Sequence, residues 1–269
     1  MSFHSTIIPA ASFDKFGLRM VLPYQQLSTW VQCLWVLHKS PSFNCQLEDK
    51  LYPDAGSSLM FIYGDNEFAV RYFNYTQVVS HCLDTSLNYV SVRFNPGAAR
   101  ALLGISALEC ENEELDLINS PSSVRDELYQ LAEAMVKLPM EQQLNAVQHW
   151  LLKRVMKSPK SFSKWSNIIT QASTGSLAPT ELADKFGFSR RTLERQIRNH
   201  TGCSPHQLFE FGQINLARRQ LIQTSDSLST IALDCGYYDQ AHFTNAFRDH
   251  TWETPLKYRM RKLSQISNR

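Results

Sequence analysis

Gly187-Phe188-Ser189-Arg190-Arg191-Thr192-Leu193-Glu194-Arg195-Gln196-Ile197-Arg198-Asn199-His200-Thr201 (GFSRRTLERQIRNHT) is the stretch on which the reading of this chain turns, because it recurs. Leu182-Ala183 and Gly187-Phe188 return as Ile231-Ala232 and Gly236-Tyr237 at an offset of 49 residues. From Leu193 the offset is 50: Leu193 to Phe243, Ile197-Arg198 to Phe247-Arg248, His200-Thr201 to His250-Thr251, Pro205 to Pro255 and Leu208 to Tyr258. Two copies at this spacing indicate a duplicated supersecondary unit, since a solenoid needs three or more.

Each copy reads as a helix-turn-helix. Pro179 to Phe186 opens with Pro and Glu in its first turn and places Leu182, Ala183 and Phe186 on one face, as a short helix requires. Gly187 can take the positive φ that ends it, and Ser189 stands as N-cap of a second helix, Arg190 to His200. Burying Leu193 and Ile197 leaves Arg190, Arg191, Glu194, Arg195 and Arg198 outward. Guanidinium reads guanine edges bidentately and grips phosphate, so this face suits a DNA major groove. In the second copy Ser229 to Cys235, Gly236 and Gln240 to Asp249 repeat the arrangement, with Phe243 and Phe247 buried. Gln240, His242 and Asn245 are its candidates for base readout, Gln and Asn pairing with adenine. Ser189, Thr192, Arg218, Arg219, Thr244, Arg248 and Arg259 are the candidates for phosphate.

Between the copies, His206 to Gln223 is long enough for one continuous helix, which would fix their separation. If both second helices enter one face of a duplex they sit about one turn, roughly 34 Å, apart, and one chain reads an extended, non-palindromic site.

These residues, together with Thr201-Gly202-Cys203-Ser204-Pro205, Leu216-Ala217-Arg218-Arg219, His242-Phe243, Ala246-Phe247-Arg248, Thr254-Pro255 and Tyr258-Arg259, resemble the C-terminal DNA-binding domain of the AraC/XylS family of bacterial transcription regulators. The resemblance spans about Trp165 to Arg261. It implies a double-stranded DNA operator, RNA polymerase as a partner, transcriptional activation as the commoner behaviour, and no cofactor. Two positions depart from the family pattern: Trp252 stands where Gly is usual, and Ala241 replaces a longer polar residue on the second reading helix.

The chain has 269 residues, enough for two domains, and a net charge of only +2. Residues 165–269 hold 13 Lys/Arg against 9 Asp/Glu, net +4, while residues 1–164 hold 14 against 16, net −2. A modestly basic domain beside an acidic one fits specific DNA binding better than charge-driven coating. No run approaches the length of a membrane span and no signal peptide is evident, so no membrane partner and a cytoplasmic location are expected. Cys33, Cys45, Cys82, Cys110, Cys203 and Cys235 are scattered, without C-x-x-C or clustered His. They read as structural or incidental thiols, with redox sensing the minor alternative, and no metal site is indicated.

Met1 to Ile118 has a different texture. Thr29 to Leu37, Leu59 to Tyr63, Glu67 to Tyr75 and Leu87 to Phe94 read as strands, with Gly64-Asp65-Asn66 as a turn, which argues for a β-sandwich or barrel able to enclose a ligand. Trp30, Trp35, Tyr52-Pro53-Asp54-Ala55-Gly56 and Val92-Arg93-Phe94-Asn95-Pro96-Gly97 followed by Leu102-Leu103-Gly104 resemble the cupin-like N-terminal domain of a group of AraC-type regulators. The usual motif there is Pro-Asp-Gly, so Ala55 delays the glycine by one residue. The resemblance implies a sensor or dimerisation domain. Trp35, Phe61, Tyr63, Tyr72 and Tyr89 either line a pocket for a small effector or form core, and Arg93 either binds an anionic ligand or pairs with Asp54 or Asp84. His4, His38 and His81 lack the H-x-H spacing of a metal-binding cupin, and there is no G-x-S-x-G or phosphate-binding glycine loop, so no catalytic residue is assigned and an enzyme is not expected.

Two helices follow. Ser123 can cap Val124 to Leu138, with Val124, Leu128, Leu131, Met135 and Leu138 as a stripe, and Glu141 to Lys157 repeats the stripe with Leu144, Val147, Leu151 and Val155. Such a pair either packs on the β domain or dimerises, and the resemblance tips it towards a homodimer. Ser158 to Lys164 reads as a linker. The expected fold class is α+β: a β-rich, cupin-like domain with a helical hairpin over 1–157, a linker over 158–164, and an all-α DNA-binding domain over 165–269 with two helix-turn-helix units joined by a long helix.

Overall fold

The computed structural model describes residues 17–39, 46–64, 67–108, 110–159 and 161–267. Among the residues discussed above, His4, Cys45 and the Asp65-Asn66 turn lie outside them. Eight strands form the N-terminal half: β1 Arg19–Val21, β2 Val31–Leu37, β3 Gln46–Leu51, β4 Ser57–Tyr63, β5 Phe68–Phe73, β6 Val79–Asp84, β7 Asn88–Phe94 and β8 Glu114–Asp116. Six of them make one antiparallel sheet in the order β1-β2-β7-β4-β5-β8, and β3 pairs with β6 separately.

The strand β4 is apolar without interruption from Leu59 to Tyr63 because both faces of the sheet are covered there. In β4, Leu59, Phe61 and Tyr63 point into one core, while Met60 joins Leu37, Phe73 and Tyr89 on the opposite face with Leu47 and Leu83 of the β3–β6 pair. Side chains alternate across a strand, so a strand covered on both sides must be apolar at every position. The first core is closed by α1 (Ala98–Leu103), α2 (Arg125–Val136) and α3 (Met140–Met156), through Leu128, Ala132, Met135, Leu144, Val147 and Leu151. The stripes of the helical hairpin pack largely within the chain, the first of the two placements they allowed. Ser123 does not cap α2: Val124 holds the N-cap position, and Ser123 Oγ instead donates to the Leu103 carbonyl (3.3 Å).

The expected linker is helical from Ser161, where α4 (Ser161–Ala172) begins. Phe162 is buried in the N-terminal core and stacks on Trp30 at 4.4 Å between ring centroids. A segment that reads as small and basic is ordered here by one aromatic side chain.

The C-terminal half contains α5 (Pro179–Phe186), α6 (Arg190–Thr201), α7 (Pro205–Gln223), α8 (Leu228–Asp234), α9 (Gln240–Thr251) and α10 (Pro255–Ser267). Its two cores gather α4, α5, α6 and the start of α7 on one side, and the end of α7 with α8, α9 and α10 on the other. Gly212 sits inside α7 because a Cβ there would lie 2.3 Å from the Gly175 nitrogen. Glycine lets the α4–α5 turn cross the long helix in backbone contact.

The repeat is reproduced in detail. Thr201 and Thr251 are both buried, each hydroxyl donating back to the carbonyl four residues earlier, Ile197 (2.9 Å) or Phe247 (2.6 Å), and each accepting the amide two residues on, Cys203 (3.1 Å) or Glu253 (3.3 Å). The residue between is left-handed in both copies, Gly202 at φ 79° and Trp252 at φ 57°. Trp252 thus occupies the backbone state for which the family pattern supplies glycine, and Ala55, in the displaced Pro-Asp-Gly position, is left-handed too at φ 60°. Because left-handed backbone costs an ordinary L-residue about 1 kcal/mol, and Trp252 is more than half exposed, Trp252→Gly should stabilise the fold by about that amount. Urea unfolding with an unchanged slope and a higher midpoint is the expected result; a lower midpoint would show that the indole contributes more than the strain removes.

Candidate nucleic-acid interface

Each reading helix is positioned by the same local chemistry. In the first unit Gly187 is left-handed (φ 69°), and Ser189 Oγ accepts the Thr192 amide (3.2 Å) to start α6. Leu193 and Ile197 fill the core below, leaving Arg190, Arg191, Glu194, Arg195 and Arg198 exposed on one surface. Glu194 accepts from Arg198 at 3.2 Å, one turn apart, and this pairing partly neutralises the end of the row while Arg190, Arg191 and Arg195 form no ion pair among the described residues. In the second unit Gly236 (φ 81°) makes the turn and Asp239, not foreseen as a cap, accepts the His242 amide at 2.7 Å. Phe243 and Phe247 are buried, and Gln240, His242 and Asn245 are exposed. The His242 ring meets Tyr237 edge-on at 5.3 Å, and Asn245 Oδ1 receives a long hydrogen bond from Arg248 (3.4 Å). The first expected readout set lies on one side of α6 and the second is exposed around the start of α9.

The phosphate candidates divide. Ser189, Thr192, Thr244 and Arg248 lie on or beside these faces, although Thr244 donates its hydroxyl to the Gln240 carbonyl (2.8 Å). Arg218, Arg219 and Arg259 are each half-buried. Arg218 lies 4.0 Å over the Tyr52 ring and donates to Tyr258 Oη (3.1 Å). Arg219 has a buried Nε. Arg259 donates to the carbonyls of Leu221 (3.0 Å) and Asp226 (2.8 Å), closing the end of α7 against α10. Sequence reasoning assigned these residues by charge alone, and an arginine satisfying helix-end carbonyls looks the same in a sequence as one facing solvent.

Arg218, through Tyr52, belongs to a contact between the two halves. Glu253, buried after α9, accepts from Arg261 Nε (2.9 Å) and Nη2 (2.8 Å) and from Lys50 Nζ of β3 (2.9 Å). Arg261 also donates to Tyr52 Oη (3.1 Å). Burial alone would raise the Glu253 pKa, but hydrogen bonds and charge from Arg261 and Lys50 outweigh it and hold the carboxyl below the usual range. At the other unit Arg100 of α1 donates to the carbonyl and side-chain oxygen of Asn199 near the end of α6. Both contacts leave the readout faces open.

Of the expected effector pocket, Phe61, Tyr63, Tyr72 and Tyr89 are core residues, buried between the sheet and its coverings. Trp35 and Arg93 do line a cavity, but one that lies between the halves of the chain and not inside the β-domain. Arg93 pairs with Asp54, as one of its two readings held, and donates to Ser58 Oγ (3.0 Å). Burial pushes the thiols of Cys203 and Cys235 up to about 12 and that of Cys33 to about 11, so these three are not thiolates near neutrality. No helix among the described residues is long and apolar enough to cross a membrane.

Residues 182–261 match a family described as a helix-turn-helix domain, and residues 19–116 match a domain of unknown function (DUF6597). The chain is similar to the HTH-type transcriptional activator RhaS of Pectobacterium carotovorum, 39% identical over 84 residues, which are 31% of this chain and 30% of that protein. It thus spans about a third of the length of the curated relatives it matches. A solved structure of an AraC-type transcriptional regulator from Chromobacterium violaceum is 30% identical over 36% of this chain and 94% of that one, with a TM-score of 0.33. An apo ToxT variant from Vibrio cholerae covers 84% of this chain and 97% of its own, at 12% identity and a TM-score of 0.40.

The buried carboxylate gives a test of the contact between the halves. Removing one member of a buried, hydrogen-bonded charge cluster leaves the others unpaired; because Lys50 and Arg261 are partly exposed, Glu253→Ala should cost about 2 kcal/mol. A group whose pKa is depressed by folding contributes stability above its unfolded value, and that contribution is lost as pH falls through the folded one. Wild type should therefore lose stability more steeply than Glu253→Ala on acidification below about pH 4.5, as read by thermal melts across pH; parallel curves would remove Glu253 as the cause.

Proposed function

We infer that this chain, a member of the AraC/XylS family through its C-terminal domain, regulates transcription, as an activator, by binding specific double-stranded DNA with both helix-turn-helix units. The observation that carries the reading is the pair of 12-residue helices α6 and α9, started and ended by the same hydrogen bonds, each with an exposed polar face and joined through the single helix α7. Arg190, Arg191 and Arg195 read one half-site and Gln240, His242 and Asn245 the other, with Arg248 and the N-cap residues of α6 on phosphate. Residues 165–269 form the DNA-binding unit and 1–157 the controlling unit, joined across 158–164. A small effector acts through the controlling unit by altering how it is held against the DNA-binding unit at Glu253 and Asn199. RNA polymerase is the partner at the promoter.

Selection of bound sequences from a random duplex library should yield two unlike half-sites about 10 bp apart. On the selected site Arg195→Ala should cost about 1–3 kcal/mol and relax preference in one half-site only, whereas Asn245→Ala should act on the other. Fluorescence anisotropy on selected and scrambled duplexes measures both; equal losses on the two duplexes would end the readout assignment.

A further inference from the structure

The two copies of the helix-turn-helix unit differ in length by one residue, and their hydrogen bonds show where it is inserted. Up to the turn the offset is 49: the Phe188 amide donates to the Ala183 carbonyl (3.0 Å) and the Tyr237 amide to the Ala232 carbonyl (2.9 Å). From the N-cap onward it is 50, Ser189 of α6 answering to Asp239 of α9. In the first copy the N-cap follows directly on Phe188. In the second, Tyr238 stands between Tyr237 and Asp239 and has no counterpart.

The inserted side chain faces solvent. Tyr237 takes the core position, buried against Phe243 (5.2 Å between ring centroids) and edge-on to His242 (5.3 Å). Tyr238 is 87% exposed, and no hydrogen bond or ring contact among the described residues engages it. A tyrosine left in water forgoes the burial that its ring gives in a core or an interface. It sits just ahead of the N-terminus of α9, the end by which a reading helix meets base edges, and so at the mouth of the groove where the sugar-phosphate backbone passes. The charges at this end differ between the copies. Where α6 opens with Arg190-Arg191, α9 opens with Gln240-Ala241 behind the Asp239 carboxylate, and its first turn holds no Lys or Arg.

We propose that Tyr238 donates its hydroxyl to a backbone phosphate flanking the second half-site, a neutral anchor at the end of α9 that lacks the arginine charge of α6. The assignment rests on the reading that α9 enters a major groove. Tyrosine is among the side chains that hold phosphate oxygens and thereby set the register of a reading element without carrying sequence information themselves. A phenol donates one hydrogen bond and neutralises no phosphate, so the anchor works without counterion release.

The test uses the full chain and the duplex selected from the random library. Tyr238→Phe should melt with wild type, since the hydroxyl has no partner in the fold; a lower melting temperature would make Tyr238 a structural residue and overturn the proposal. On selected and scrambled duplexes alike the variant should bind about tenfold more weakly. Its slope of log K against log salt should equal that of wild type, whereas Arg248→Gln should lower the slope by about 0.9. The phosphate is located by replacing single phosphates across the second half-site and its flanks with uncharged methylphosphonates. At one position the replacement should weaken wild type about tenfold more than it weakens Tyr238→Phe. Equal losses for the two proteins at every position would overturn the proposal. Unchanged DNA affinity of Tyr238→Phe with loss of transcriptional activation would place the side chain against a protein and overturn it as well. Absence of coupling with DNA selection intact rejects the Tyr238 contact alone, and failure of DNA selection rejects the regulator and the contact together.

Discussion

A carboxylate can be buried only if its charge is met, and the Glu253 carboxylate is met from both halves of the chain. Its two oxygens take Arg261 from the helix that follows it and Lys50 from a strand some two hundred residues earlier. That requirement ties β3 to the turn between α9 and α10 and brings Tyr52 under Arg218. The two domains are joined by groups that cannot part without exposing or stranding charge.

The duplicated unit shows how this contact arose without disturbing the reading helices. Thr201 and Thr251 close their helices identically, but the next equivalent pair is Cys203, a buried thiol, and Glu253, a buried carboxylate. One copy completes its own core at this position and the other opens it to the N-terminal domain. In both, the exposed polar residues lie away from the core, because Leu193 and Ile197, or Phe243 and Phe247, have claimed the near side.

The covering of the six-stranded sheet on both faces decides where a ligand can go. The α1–α3 layer and the β3–β6 pair cover the two sides, and Phe61, Tyr63, Tyr72 and Tyr89 are buried under them as core. Open volume is left where the β3–β6 layer meets α7, and it carries cations because the DNA-binding half is the basic one.

The sequence alone located α5 to α9 to within about two residues, since they depend on local rules: a 3.6-residue apolar period, Gly at positive φ, Ser at N-caps and a repeat that states each rule twice, but it did not mark α10 and began α4 at Trp165 instead of Ser161. It also located the four central strands, whose continuous apolar runs reflect burial on both faces, but it missed β1, β3, β6 and β8, where the residues are polar or few and pairing comes from distant partners. Strand period shows which residues alternate and not what covers each face, so core aromatics and pocket aromatics read alike. The tertiary structure decided the rest: that the α2–α3 stripes close on their own domain, that Phe162 packs the expected linker into the N-terminal core, that Arg218 and Arg259 find partners within the chain, and that the cavity lies between the halves. Each of these depends on which distant group meets a side chain, and that information is held by the packing of the whole chain.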